Sequence, residues 1–151
     1  MLRLALAVPV CLSLVACQSG ASPTKPTSMP AASVTRIIAL EGDLDFGDVE
    51  VRTIAEKTLR IVNRGTGTMT VNGFTGPRGG GLCRNPDDIE VCGSVSVSWT
   101  GGDIAPSQWQ DVIVSFNTAH GDSINGSVTV NANATSGTNT ISISARSVSS
   151  R

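Results

Sequence analysis

From residue 58 onward, apolar and polar positions take turns along the chain. Leu59 and Ile61 alternate with Thr58 and Arg60, and Met69 and Val71 with Thr70 and Asn72. Val95, Val97 and Trp99 stand among Ser94, Ser96 and Ser98, while Val112, Val114 and Phe116 flank Ile113 and Ser115. Val128 with Val130, and Ile141 with Ile143, repeat the theme. A period of two is what a half-buried strand imposes, because successive side chains point to opposite faces. The valines are therefore expected inside and Ser96 on the outer face. Asn63-Arg64-Gly65-Thr66-Gly67, Gly101-Gly102-Asp103 and Ser136-Gly137-Thr138-Asn139 separate the runs. They read as turns, since glycine and asparagine accept positive φ. No segment has the periodicity of an amphipathic helix. Short strands with turn signals between them predict an all-β sandwich. The aromatics Phe46, Phe74, Trp99, Trp109 and Phe116 fall mostly within these runs and are assigned to the core.

The amino-terminal part follows a different grammar. MLRLALAVPVCLSLVA, residues 1–16, carries one early charge, Arg3, and then a short apolar run, the pattern of a secretory signal peptide. The run is shorter than the roughly 20 apolar residues of a spanning helix. It ends in Leu14-Val15-Ala16-Cys17, which resembles a bacterial lipobox. That resemblance implies cleavage before Cys17 and acylation of its thiol and new amino terminus. More than one acyl chain would hold the protein stably on a membrane. Gln18 stands where an aspartate would resemble an inner-membrane retention signal, so the resemblance leans to the outer membrane of a Gram-negative envelope. The alternative is an uncleaved anchor or a buried helix. Residues 17–35 form the lipidated terminus and a tether rich in Ser, Thr, Ala and Pro. Such a composition buries too little surface to offset ordering entropy. Its reach is roughly 55 Å if proline-like and about 25 Å as a flexible coil.

About 115 residues remain, enough for one core, and the predicted domain spans 36–148. Net charge is −1 for the whole chain, with lysine only at 25 and 57 and no tyrosine. Without a basic block, nucleic acid is not an expected partner. Leu44-Asp45-Phe46-Gly47-Asp48-Val49, then Thr58-Leu59-Arg60-Ile61-Val62-Asn63 with Gly65, resembles the ASH/hydin group of immunoglobulin-like domains. Bacterial secreted proteins carry similar modules, the choice-of-anchor D domains. Ile104-Ala105-Pro106, Val112–Phe116, Gly126–Val130 and Thr140–Ser144 extend the likeness over roughly residues 37 to 146. Two positions depart from it: Asn117 where a proline commonly follows the phenylalanine, and Trp109 near a frequent cysteine. The resemblance implies a single immunoglobulin-like β-sandwich of about seven to eight strands and a habit of protein–protein contact. It implies no catalytic residues.

The chemistry-bearing stretch is GGGLCRNPDDIEVCG, residues 79–93. A phosphate loop would need Lys and Ser or Thr after its glycines. A structural zinc site would need four Cys or His ligands, and Cys83, Cys92 and His120 make three. Cys11 leaves with the signal peptide and lipid consumes Cys17, so Cys83 and Cys92 remain as a pair. An oxidising envelope favours a disulfide between them, worth about 2.5 kcal/mol in the chain-entropy model; two buried free thiols are the alternative. Arg84, Asp87, Asp88, Ile89 and Glu90 then form a partner-binding loop, with calcium binding by the acids or plain solvation as other readings. Asp43, Asp45 and Asp48 are spaced somewhat like the acids of a calcium loop. Gly47 and Ile54, however, occupy ligand positions of an EF-hand, so the three read as outer-face acids. His120, with Asp122 and Ser123 beside it, has the residue types of a triad but not its context. Asn125-Gly126-Ser127 and Asn133-Ala134-Thr135 match glycosylation sequons, which carry little meaning behind a bacterial lipobox.

The expectation is a non-enzymatic, lipid-anchored protein that needs no cofactor or metal. It would touch the membrane through Cys17 and bind or position another envelope or surface protein. The alternatives are a protective or phage-derived lipoprotein that blocks a receptor, and a small hydrolase using His120.

Overall fold

The computed structural model describes residues 32–79, 82, 84, 94–119 and 121–149. They build ten strands: β1 Ile37–Glu41, β2 Leu44–Glu50, β3 Ile54–Asn63, β4 Met69–Thr75, β5 Val95–Val97, β6 Gly102–Ile104, β7 Trp109–Asn117, β8 Ser123–Ala132, β9 Ser136–Gly137 and β10 Thr140–Val148. One sheet has the order β5-β7-β3-β1-β9 and the other β2-β10-β8-β4-β6. Pairing is antiparallel except where β10 meets β2 and β1 meets β9. The all-β sandwich expected from the alternation is the fold observed.

The strand count rises from seven or eight to ten because turn-formers also pair. Gly102 and Asp103 join β6 to β4, and Ser136 and Gly137 form β9 on β1. Glycine makes the second contact possible. Gly137 has φ +106°, and a Cβ there would lie 2.0 Å from Ile38 O. No other residue fits so close a backbone approach at positive φ.

The inward positions of both sheets interleave into one core. Leu59, Ile61, Val112, Val114 and Phe116 from one sheet, and Met69, Val128 and Val130 from the other, are fully buried. Phe46 joins from β2, its ring centroid 6.0 Å from that of Phe116. Trp99 stands edge-on to Phe74 at 6.3 Å, at the margin of the core. One expectation holds in direction only and another fails. Ser96 points away from the core as expected, yet it is buried, as is Ser115 opposite it across β5 and β7. Trp109 is 53% exposed. It is an odd number of residues from Val112, so the pleat that buries Val112 turns Trp109 outward.

The strand register defines two ends. At the first, Asn63 N–H donates to Gln108 O at 2.9 Å, Ser107 N–H to Asn63 O at 2.9 Å, and Asn133 N–H to Thr70 O at 3.0 Å. The entering chain is fastened there too: Thr66 N–H and Gly67 N–H both donate to Thr35 O, at 2.9 and 2.8 Å. A Cβ on Gly65 would sit 2.3 Å from that same oxygen. At the far end, Thr118 N–H donates to Thr53 O, Asn117 N–H to Ser94 O, and Val51 N–H to Val148 O. We call these the base and the apex. The domain is entered at the base. Gly79, just past β4, and Ser94, just before β5, stand at the apex.

Candidate functional site

Two buried polar side chains hold the ends. At the base Asn63 has no exposed surface. Its Nδ2 donates to Gly67 O at 2.8 Å and Ile104 O at 2.9 Å, and its Oδ1 accepts from Gly65 N–H at 3.0 Å. The amide thus fixes the β3–β4 loop against β6, which belongs to the other sheet. At the apex the equally buried Thr118 Oγ1 lies 2.6 Å from Glu50 O and 2.9 Å from Thr53 O. It also accepts from Thr53 N–H at 3.0 Å. One hydroxyl therefore ties the end of β7 to the β2–β3 turn.

The described residues in and beside the 79–94 segment are tied to the strands. Leu82 N–H donates to Phe74 O at 3.1 Å, and the Leu82 side chain packs on the core. Arg84 Nε donates to Ser98 O at 3.1 Å, so this member of the expected loop lies along β5. Ser94 Oγ donates to the Asp122 carboxylate, and Ser147 Oγ to the Asp122 carbonyl. Arg78 approaches the same carboxylate at 4.0 Å. Asp122 thus joins the stem of the loop to the β7–β8 connection. Cys83, Cys92, Asp87, Asp88, Ile89 and Glu90 lie outside the described residues, as do Cys17 and His120. Of the triad residue types, Asp122 faces Ser94, while Ser123 pairs with Arg146 at the start of β8.

The three acids around β2 are engaged by donors of this chain. Lys57 Nζ reaches Asp43 Oδ2 at 2.8 Å, Ser144 Oγ donates to Asp45 Oδ1 at 2.6 Å, and Arg146 grips Asp48 at 2.9 and 3.2 Å. The Lys57 hydrogen bond holds the Asp43 carboxyl below its ordinary range, and that of Ser144 does the same for Asp45. Both residues sit on the outside, as expected of outer-face acids. Among the described residues no three His, Cys, Asp or Glu side chains converge. An open depression of about 450 Å³ lies between β1 and the Gly137–Thr138 segment, with Arg64 as its charged lining residue.

The outer face of the β5-β7-β3-β1-β9 sheet carries a cluster that the sequence analysis does not single out. Arg60 Nε and NH2 donate to the two Asp111 oxygens at 2.7 and 3.0 Å. The guanidinium also stands 5.2 Å from the Trp109 ring centroid. The pairing lowers the Asp111 pKa and raises that of Arg60. The signal for this face is nonetheless present in the sequence. Positions 109, 111 and 113 are the out-of-phase set of the 112, 114, 116 alternation.

The β-sandwich of two curled sheets is consistent with an immunoglobulin-like domain. More narrowly, the chain belongs to the HYDIN/CFA65/VesB-like Ig-like domain family, whose model matches residues 37–146. No curated protein matches the sequence. Among solved structures, the ASH/PapD-like domain 7 of human CEP192 is similar over 89% of this chain and 99% of that one, with TM-score 0.55 and 14% identity. A protein of unknown function from Porphyromonas gingivalis W83 is similar over 81% of this chain and 50% of its own, with TM-score 0.50 and 18% identity. A family 123 glycoside hydrolase from Clostridium perfringens is similar over 76% of this chain but 27% of its own, with TM-score 0.51 and 7% identity. At such identities these likenesses show the fold alone.

Proposed function

We propose that the protein is a non-catalytic interaction module of a bacterial envelope, lipid-anchored through Cys17, whose apical loop engages another envelope or surface protein. The observation that carries this reading is family membership across residues 37–146, since immunoglobulin-like domains of this kind serve as protein-interaction modules. The arrangement of the domain supports it. The chain enters the domain at the base, and Gly79 and Ser94, which flank the segment carrying Asp87, Asp88, Ile89 and Glu90, stand at the apex, the end opposite that entry. Loops at the ends of a sandwich are held by the sheets while their sequence is free to vary. A Cys83–Cys92 disulfide would rigidify Asp87, Asp88, Ile89 and Glu90 and lower the entropy lost on binding. The three acids would suit a basic partner surface, with Ile89 as an apolar contact.

Two experiments test the two halves of the reading. Cys17→Ser should abolish labelling by a radioactive fatty acid and leave unprocessed precursor at the inner membrane; normal acylation of that variant refutes the anchor. Affinity capture from envelopes with the intact chain as bait, followed by mass spectrometry, should yield a partner that a Cys83→Ser/Cys92→Ser bait retains poorly. Equal recovery by both baits removes the disulfide-held loop from the account.

A further inference from the structure

Among the described residues, four large apolar side chains are exposed: Val34, Ile54, Trp109 and Ile113. The last three share one surface, the outer face of the β5-β7-β3-β1-β9 sheet. The opposite outer face includes Thr75, Asn125, Ser127, Thr129 and Ser142, with side-chain bonds from Asn131 to Thr75 and between Thr129 and Thr140. The sandwich therefore has one polar face and one bearing tryptophan and isoleucine. At the centre of the second, Arg60 and Asp111 are cross-strand partners, with side chains 45% and 44% exposed.

We propose that this face is a contact between two copies of the chain, related by a twofold axis running along the strands between β3 and β7. Such an axis exchanges the two strands without changing height along them. Because Arg60 is registered with Asp111, Arg60 of one copy meets Asp111 of the other, and the reverse contact forms by symmetry. The same rotation brings Trp109 over Val62 and Ile113 over Thr58, since those are the registered pairs on either side. A face with both charges at one height is self-complementary; a face of one sign would repel its copy. The axis also leaves both apices pointing one way and both bases the other, so two chains can leave toward a single surface. The ten residues of β3 span about 34 Å, of which the register of Glu56 with the buried Ser115 is not open, and three strands make the face roughly 15 Å wide. That is small beside the roughly 800 Å² per partner of a standard interface, so the dimer is weak and concentration-dependent.

The test is sedimentation velocity of the full chain in mild detergent over a concentration series, with far-UV circular dichroism as a control for folding. Wild type should pass from monomer to dimer as concentration rises. Arg60→Asp and Asp111→Arg should each weaken the dimer by about tenfold or more, because each places like charges together twice. An equimolar mixture of the two variants should recover dimer, since one variant then carries acid at both positions and the other carries arginine at both. No effect on fold alone produces that recovery. Trp109→Ser, outside the ion pair, should weaken the dimer while leaving the spectrum unchanged. A chain that stays monomeric at its highest soluble concentration overturns the proposal. So does a dimer indifferent to Trp109→Ser, or a mixture that fails to recover it.

Discussion

Asn63 offers the sharpest quantitative prediction, because its amide is buried and its side-chain bonds run to backbone groups. Alanine at 63 removes three hydrogen bonds, to Gly67 O, Ile104 O and from Gly65 N–H. A typical net bond is worth about 1 kcal/mol, and a buried group left without its partner costs about 1–3 kcal/mol. The sum is about 3–5 kcal/mol, a large part of the roughly 5–15 kcal/mol that holds a domain together. For a domain of this size the melting temperature should fall by roughly 15 °C. Urea titration should show a lower midpoint at unchanged slope, the signature of lost stability without a change in surface exposed on unfolding. Asn63→Asp is the informative control. It keeps the shape and the acceptor toward Gly65 N–H but aims an oxygen at two carbonyls. At neutral pH it should cost at least as much as alanine, and part of the loss should return in acid, where the carboxyl can donate again. A variant Asn63→Ala within about 1 kcal/mol of wild type would show that this amide does not fasten the β3–β4 loop to β6.

Adjacent residues of β7 should behave oppositely: Val114→Asp buries an unpaired charge and should cost more than about 4 kcal/mol, whereas Ile113→Asp, 42% exposed, should stay within about 1 kcal/mol in the monomer. Ser96→Asp belongs with the damaging set despite its outward parity, because Ser96 is 3% exposed; a harmless Ser96→Asp by thermal melt would contradict its burial. The carboxyls of Asp43, Asp45 and Asp111 are held low by Lys57, Ser144 and Arg60, so the stability they contribute is present above the ordinary carboxylate range and lost as pH falls through their folded values. The melting temperature should therefore hold from neutral to about pH 4 and drop below it, and Asp111→Asn should make that acid limb shallower; identical limbs would mean the Arg60 pair contributes nothing.

Much of this architecture is legible in the sequence because one physical rule generates it. A strand with one face in a core must alternate, so Val112, Val114 and Phe116 announce both strand and inner face. Misreadings arise where another effect enters. Residue type assigns Trp109 to the core, although its phase relative to Val112 already turns it outward. Phase alone assigns Ser96 to the outside, but phase specifies only which face a side chain points to. It says nothing of what lies over that face. Gly137 reads as turn and also pairs as strand, since without a Cβ it can take a positive φ and still approach Ile38 O. The anchoring of Asn63 and Thr118 is not legible, because their partners are backbone groups brought close only by folding. Ser94 and Asp122 are far apart in sequence and meet at the apex for the same reason.

The central claim, that the apical loop engages a partner, is tested most directly by titrating the captured partner against wild type and against Asp87→Lys/Asp88→Lys. The account predicts that charge reversal weakens binding by about tenfold or more, with the melting temperature within about 2 °C of wild type. Equal affinity for the two proteins would contradict it, leaving the loop as a structural staple only.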